Sequence, residues 1–220
     1  MLSFIDNPKL LLDEFNQMVD IAHKKAFITI EIEIQKEEID NIKNYIKELT
    51  ELKREFVKKD LENEANLVYC IENSLLAIAH ELQMLVNLKD DQMAEAWNNL
   101  VRAQVIYGTV ISNSPFYSEK NDNYLNRLEQ YEKLLFPTLY FQSVGGIIKE
   151  SHCSICKQKS GTCNHIKGKL YHGEICTRNI TEMEIEEVSL VENPANKHCR
   201  VISIEQNGKK IDVLTLREID

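Results

Sequence analysis

Three cysteines and a histidine fall within the thirteen residues of the stretch CSICKQKSGTCNH. The four residues are Cys153, Cys156, Cys163 and His165. A C-x-x-C pair places two thiolates on one ion, and Ser160-Gly161 allows the chain to turn and return the other two donors to it. Zinc suits three sulfurs and one nitrogen best, because it binds soft and borderline ligands in a tetrahedron. The spacing therefore predicts one bound Zn²⁺.

Cys176, eleven positions after His165, is a fifth candidate ligand. It would replace His165 in an all-cysteine site, so the choice of the fourth ligand stays open between these two residues. No secretory signal is visible, and the longest apolar runs, such as residues 74–79, fall far short of a membrane span. We expect a cytoplasmic protein without a membrane partner. Because the cytosol keeps thiols reduced, clustered cysteines there favour a metal site over disulfides.

The predicted zinc is structural. A catalytic zinc keeps one position open for water, whereas four or five available ligands leave no vacancy, and three thiolates make the ion a weaker Lewis acid. His172-Gly173-Glu174 is similar to the H-x-E element of zinc deaminases, but their cysteine pair follows that element, and Cys153 and Cys156 precede it. A closed site would hold together a region too small to depend on a core of its own.

The residues before the cysteine cluster favour long helices. Neither glycine nor proline occurs between Pro8 and Gly108, and either one costs about 1 to 3 kcal/mol inside a helix. Apolar residues three and four apart predict four helices, over residues 39–56, 67–85, 93–111 and 123–136. These helices predict a bundle with a long antiparallel coiled-coil hairpin. Residues 27–35 fit both a helix and a strand, and we favour the helix.

The sequence changes character after residue 145. Val144-Gly145-Gly146 has the composition of a linker, so we expect a helical domain over residues 1–145 and a β-rich zinc-binding domain over residues 146–220. Residues 186–192 fit a strand, and Asn207-Gly208 between two alternating runs predicts a hairpin with a type I′ turn. The expected fold class is mainly α, a helical bundle plus a small zinc-binding β-rich C-terminal domain.

The formal net charge of −9 is carried by the first 150 residues. An acidic surface repels phosphate backbones, so nucleic-acid binding by the helical domain is not favoured. Four lysines near the predicted zinc leave a small basic patch open, at Lys157, Lys159, Lys167 and Lys169. An adaptor that contacts nucleic acid through these lysines is one alternative function. A zinc hydrolase built on His172 and Glu174 is another.

The cysteine cluster belongs to a longer pattern, C-x-x-C…C-x-H…G-x-x-Y-x-G-x-x-C, followed by V-S-L-V-x-x-P-A-N. The matching positions are Cys153, Cys156, Cys163, His165, Gly168, Tyr171, Gly173 and Cys176, and then residues 188–191 and 194–196. This part of the chain resembles a zinc-binding module of phage and prophage proteins, and its second segment is also similar to the tail of phage prohead-protease domains. The resemblance implies a module of phage or mobile-element ancestry in which Cys176 is a functional part of the site.

The sequence contains no phosphate-binding loop, dinucleotide fingerprint or nucleophile motif. Together with the closed metal site and the coiled-coil pattern, this favours a non-enzymatic, zinc-stabilised accessory subunit of a multi-protein assembly. A phage-related or antiphage-defence setting follows from the resemblance. The helical domain would bind protein partners or a second copy of the chain.

Overall fold

The structure, a computed structural model, describes residues 8–115 and 119–219. Within these residues the chain has five helices and short antiparallel sheets, and the Cys/His cluster lies in the C-terminal region. The mainly α fold class is therefore confirmed. The helices are α1 (Pro8–Lys25), α2 (Ile32–Lys58), α3 (Glu62–Lys89), α4 (Met93–Asn113) and α5 (Glu119–Leu135). The strands are β1 (Phe141–Cys153), β2 (Leu170–Tyr171), β3 (Glu174–Ile175), β4 (Arg178–Val191), β5 (Ser203–Gln206), β6 (Lys209–Asp212) and β7 (Glu218–Ile219).

Internal contacts divide the described residues into two units. The helical unit contains the described residues up to Leu128 together with Lys169–Ile175, and the ribbon unit contains Glu129–Gly168 and the described residues from Cys176 onwards. That residues 1–145 and 146–220 form two separate domains stays a prediction. None of the described helices is both long and apolar enough to span a membrane.

Helices α2 and α3 form a long antiparallel hairpin. Lys53 pairs with Glu72 close to the short connection between the two helices. At the far end, the Lys89 ammonium donates to the Gln35 side chain over 2.6 Å. Of the six apolar residues whose spacing predicted α2, Ile46 is half-buried, and the other five are buried within the helical unit, namely Ile39, Ile42, Leu49, Leu52 and Phe56. This apolar seam is therefore filled within one chain, and coiled-coil packing in the strict sense stays a prediction.

The N-terminal part differs from the expectation in two places. Helix α1 has no counterpart among the four predicted helices, and Leu11 and Ala22 are among its few fully buried side chains. Residues 27–31 form a turn and α2 begins at Ile32, so the helix prediction for residues 27–35 is wrong over its first five positions. The buried Gln35 amide stabilises this turn by donating to the carbonyl oxygens of Lys25 and Phe27.

The helical unit buries an ion pair between α3 and α5. The Glu81 side chain is fully buried, and one of its oxygens accepts a hydrogen bond from Arg127 Nη2 over 2.8 Å. Burial raises the pKa of Glu81, while the positive charge of Arg127 opposes that rise. The guanidinium also lies over the Tyr124 ring, 5.0 Å from its centroid. A buried carboxylate is costly without its cation, so the pair makes the packing of α5 on α3 specific.

His23 stacks on the buried Tyr124, with the ring centroids 5.6 Å apart. Burial, reinforced by the charge of Arg127, lowers the pKa of His23 from 6.5 to about 4. Between those two pH values the unfolded chain binds a proton at this histidine and the folded chain does not. The free energy of unfolding therefore falls as the pH drops through this interval.

We expect His23→Gln to remove part of this acid sensitivity. Between pH 6.5 and 4, the free energy of unfolding should fall by roughly 2 kcal/mol less in the variant than in the wild type, after allowance for the partial exposure of the ring. Urea denaturation at several pH values measures this difference. His198→Gln, at an exposed histidine, is the control and should leave the profile unchanged. If the free energy of unfolding depended on pH in the same way for His23→Gln and the wild type, His23 would not be the source of the acid sensitivity.

Strands β1 and β4 pair along their full lengths as an antiparallel ribbon. The predicted linker at residues 144–146 is wrong, because these residues lie inside β1. A register shift between Gly145 and Gly146 marks a bulge, and Glu186 is the unpaired residue opposite it. The hairpin between β5 and β6 is as predicted: Asn207 and Gly208 have φ values of 54° and 74°, as a type I′ turn requires.

We expect Gly146 to tolerate no side chain. A Cβ at this position would lie 2.2 Å from the carbonyl oxygen of Glu184, which belongs to the paired strand and cannot retreat without breaking the pairing. Gly146→Ala should destabilise the ribbon by about 1 to 3 kcal/mol, measured as faster amide hydrogen exchange in β1 and β4. Gly108→Ala, in open space on α4, should instead stabilise its helix by about 0.5 to 1 kcal/mol. Equal effects of the two substitutions would contradict the steric argument.

Candidate metal centre

The ribbon brings the first and last cysteines of the cluster together. Cys153 ends β1 and pairs with Arg178, the first residue of β4, and Cys176 lies two positions before Arg178. The Sγ atoms of Cys153 and Cys176 are 3.7 Å apart, and both residues are buried. Two thiolates that each lie about 2.3 Å from one tetrahedral zinc are about 3.8 Å apart. The observed separation therefore fits two ligands of one ion.

A tight turn after Cys153 positions Cys156. The Lys157 N–H donates to the carbonyl oxygen of Cys153 over 3.0 Å. Lys157 itself has a φ of 63°, a left-handed conformation that is uncommon outside glycine and that reverses the chain here. The Ser160 N–H then donates to the carbonyl oxygen of Ser151 over 2.8 Å, which returns the loop to β1. These backbone contacts direct the second half of the loop back towards Cys153.

Four of the predicted ligands converge in this loop. The ligand atoms of Cys153, Cys156, Cys163 and His165 all lie within 4.8 Å of one another. Over residues 8–115 and 119–219, no other group of three or more His, Cys, Asp or Glu side chains has such an arrangement. Cys153 is buried and the other three are half-buried. Three sulfurs and one nitrogen form a donor set that zinc prefers, so the cluster is a possible metal site.

Cys176 lies beside Cys153 but outside the group of four. The Gly168 N–H donates to the carbonyl oxygen of Cys176 over 2.8 Å, which ties the segment after His165 to the segment that carries Cys176. Five potential donors thus belong to one loop, whereas tetrahedral zinc takes four. The choice between His165 and Cys176 as the fourth ligand stays open.

Local hydrogen bonds favour the thiolate form of Cys153. The hydrogen bond from the Cys156 backbone N–H is the largest cause that lowers the pKa of Cys153 to about 6, with a further contribution from the Ile155 N–H. Burial raises the pKa of Cys176, and its neighbour Cys153 raises it further. Either sulfur can donate in the contact between Cys153 and Cys176. Metal ligation requires deprotonated sulfur, so binding would displace this shared proton.

Ser154 and Thr177 hold the cysteine loop to the start of β4, a role that the sequence did not indicate. The Ser154 N–H donates to the carbonyl oxygen of Thr177 over 3.0 Å, and the Thr177 N–H donates to Ser154 Oγ over 2.8 Å. Neither residue is a metal ligand, so ligand spacing could not identify them. The only available signal was a small hydroxyl side chain next to a cysteine in each segment.

The residues of the hydrolase hypothesis are not in the metal cluster. His172 belongs to the helical unit, where its ring nitrogens lie 3.7 Å from an Asp60 oxygen and 3.8 Å from a Glu62 oxygen. Within the described part of the chain, neither His172 nor Glu174 joins a group of potential metal ligands. The hydrolase hypothesis receives no support from this arrangement and stays untested.

The four lysines of the nucleic-acid hypothesis differ in their surroundings. The Lys157 ammonium donates to the carbonyl oxygen of Ser154, and the Lys169 ammonium donates to that of Ser112 over 3.0 Å. Lys167 lines a cavity of about 320 Å³ beside the cysteines, together with Arg178. The adjoining strand β4 carries four glutamates, at positions 182, 184, 186 and 187, which weaken any basic patch. Nucleic-acid binding therefore stays an unsupported alternative.

No protein-family model, curated protein or solved structure matches the chain. The interpretation of the centre consequently depends on its own geometry and donor chemistry. The resemblance of residues 153–196 to a phage-type module stays a prediction.

Proposed function

We propose that the chain is a non-enzymatic interaction subunit whose ribbon unit is stabilised by one structural Zn²⁺. The observation that carries this proposal is the grouping of four donors within 4.8 Å, with a fifth beside them. A tetrahedral zinc with this supply of protein ligands has no position left for water or substrate. Without an open position the ion cannot generate a zinc-bound hydroxide, so its role is to stabilise the fold of the ribbon unit.

The ribbon unit has few other sources of stability. Most residues of β1 and β4 are exposed, and the paired strands bury little apolar surface between them. An isolated two-stranded ribbon is marginally stable in water. Because the metal would join residues from both ends of the cysteine loop, its binding free energy would contribute directly to folding.

The biological setting is proposed from the resemblance alone. A zinc module of phage or mobile-element ancestry, joined to a helical unit, suits an accessory subunit of a phage-related or antiphage-defence assembly in the cytoplasm. Protein contacts through the helical unit are part of this proposal, although the apolar seam of α2 is used within the chain.

Cobalt substitution tests whether the site is closed. Protein reconstituted with Co²⁺ should show the visible d–d and charge-transfer bands of a tetrahedral thiolate site. Because no ligand position is open, added cyanide or azide should leave these bands unchanged. A spectrum that shifts on anion addition would reveal an exchangeable position and overturn the structural assignment.

A further inference from the structure

The two faces of the β1–β4 ribbon differ in character. Residues directly opposite each other in an antiparallel pair point to the same face, and the facing alternates along each strand. The pairs Val144–Val188 and Ile148–Met183 therefore share one face with Leu190. The intervening positions fall on the other face, which carries Ser143–Ser189, Gly145–Glu187 and Ile147–Glu184 as pairs.

The glycine bulge keeps the apolar face continuous. Glu186 is the extra residue on β4, and beyond it Ile185 pairs with Gly146 on the same side as Val144 and Ile148. The apolar ribbon face therefore carries six apolar side chains and, beside Leu190, the polar Gln142; the six are Val144, Ile148, Met183, Ile185, Val188 and Leu190. Without the bulge, the alternation on β4 would shift by one position, and its apolar residues would change faces halfway along the strand.

This face is exposed to solvent. The six side chains are between 37% and 64% exposed, with Met183 and Ile148 the least exposed. Together they present on the order of 500 Å² of apolar surface, near the upper end for the largest such patch on a soluble monomer. A two-stranded ribbon with one bare apolar face needs a second layer to be stable, as in a sandwich of two sheets.

The charge distribution is compatible with a second copy of the ribbon as the second layer. The face opposite the apolar one carries Glu184 and Glu187, and it keeps a net negative charge although Lys149 pairs with Glu184 over 2.8 Å. Because the formal net charge of the chain is −9, an anionic lipid surface or a nucleic acid is not a favoured occupant of the apolar face. Two identical apolar faces can pack together while both acidic faces point outwards into water.

We propose that two copies of this chain associate through the apolar ribbon face to form a two-layered sandwich of ribbons. Pairing would remove about 1,000 Å² of apolar surface in total, close to the lower limit of specific protein interfaces. The association would be isologous, because the same six side chains serve both partners. This inference depends on the proposed role as an interaction subunit, and it deepens that role by naming the surface and the partner.

Neighbouring isoleucines on opposite faces provide a matched test. Ile147 and Ile148 are 47% and 39% exposed, and they point to the acidic and the apolar face respectively. Sedimentation equilibrium of the zinc-loaded full-length chain should give twice the mass of one chain for the wild type and for Ile147→Asp. Ile148→Asp should give the mass of one chain, with a dimer dissociation constant raised by at least about 100-fold because a carboxylate enters the apolar layer.

Val188→Asp provides a second site in the event that Ile148→Asp fails to fold, which zinc content and circular dichroism would show. It should also yield the monomer. A wild type that is monomeric at all accessible concentrations would overturn the proposal, as would equal dissociation of the two isoleucine variants or a dimer that survives Val188→Asp. These outcomes leave the cobalt spectrum unaffected, so failure of the dimer and failure of the closed zinc site can be told apart.

Discussion

Replacing Cys153 by serine is expected to abolish stable zinc binding and to unfold the loop that carries the other ligands. Cys153 belongs to both candidate ligand sets, it is buried beside Cys176, and it ends strand β1. Since the loss of outer-shell contacts alone weakens metal sites by about 10- to 100-fold, removal of a ligand should exceed 100-fold. Competition with a chelator measures the affinity, and hydrogen exchange over residues 150–178 measures the unfolding.

Cys199→Ser is the matched control for that experiment. Cys199 is exposed and lies outside the cluster, so its substitution removes a thiol without touching the site. Zinc affinity and protection of the loop should then equal those of the wild type. Retention of tight zinc binding in Cys153→Ser would show that the metal is held by other residues, and the proposed centre would be wrong.

Arg127→Met is expected to cost about 3 to 5 kcal/mol of the free energy of unfolding of the helical unit. Glu81 is fully buried, and the guanidinium is the cation that compensates its charge. With that cation removed, the carboxylate must either remain unpaired or take up a proton, and both alternatives destabilise the native state. Urea denaturation followed by helical circular dichroism measures the loss.

Two further variants separate the buried pair from a general effect of losing an arginine. Arg54→Met removes one partner of the exposed Arg54–Glu51 pair and should cost less than about 1 kcal/mol. The double variant Glu81→Leu/Arg127→Met removes both buried charges and should recover most of the stability lost by Arg127→Met alone. A double variant less stable than the single one would contradict the account of the pair.

Much of the helical unit could be predicted because apolar spacing alone specifies a buried helix face. The α2–α3 hairpin and helix α4 were found in this way, and Trp97 lies in the core that they form. The turn before α2 could not be predicted, because it depends on the Gln35 amide, whose partners are backbone carbonyl oxygens. A polar side chain that hydrogen-bonds to the backbone of a turn leaves no periodic pattern in the sequence.

The linker prediction failed because glycine has two structural uses. Gly145 and Gly146 were interpreted as part of a linker between two domains, whereas in the ribbon Gly146 provides room for the Glu184 carbonyl oxygen of the paired strand. Strand pairing is a long-range property, and composition within a few residues cannot distinguish a bulge from a hinge.

The ligand cluster was predictable because metal ligands must be close in space and, in a small loop, also close in sequence. The choice between His165 and Cys176 as the fourth ligand was not predictable, and the geometry explains why. His165 belongs to the group of four, while Cys176 is placed beside Cys153 by the ribbon. Spacing along the chain carries no information on which of the two completes a tetrahedron.

The zinc content of untagged protein, purified without a chelator and measured by elemental mass spectrometry, tests the central claim most directly. We expect one zinc per chain in the wild type. If Cys176→Ser also retains one zinc, His165 completes the site, and if it loses the metal, Cys176 does. A wild type without zinc would contradict the account and would make the cluster a site of thiol chemistry.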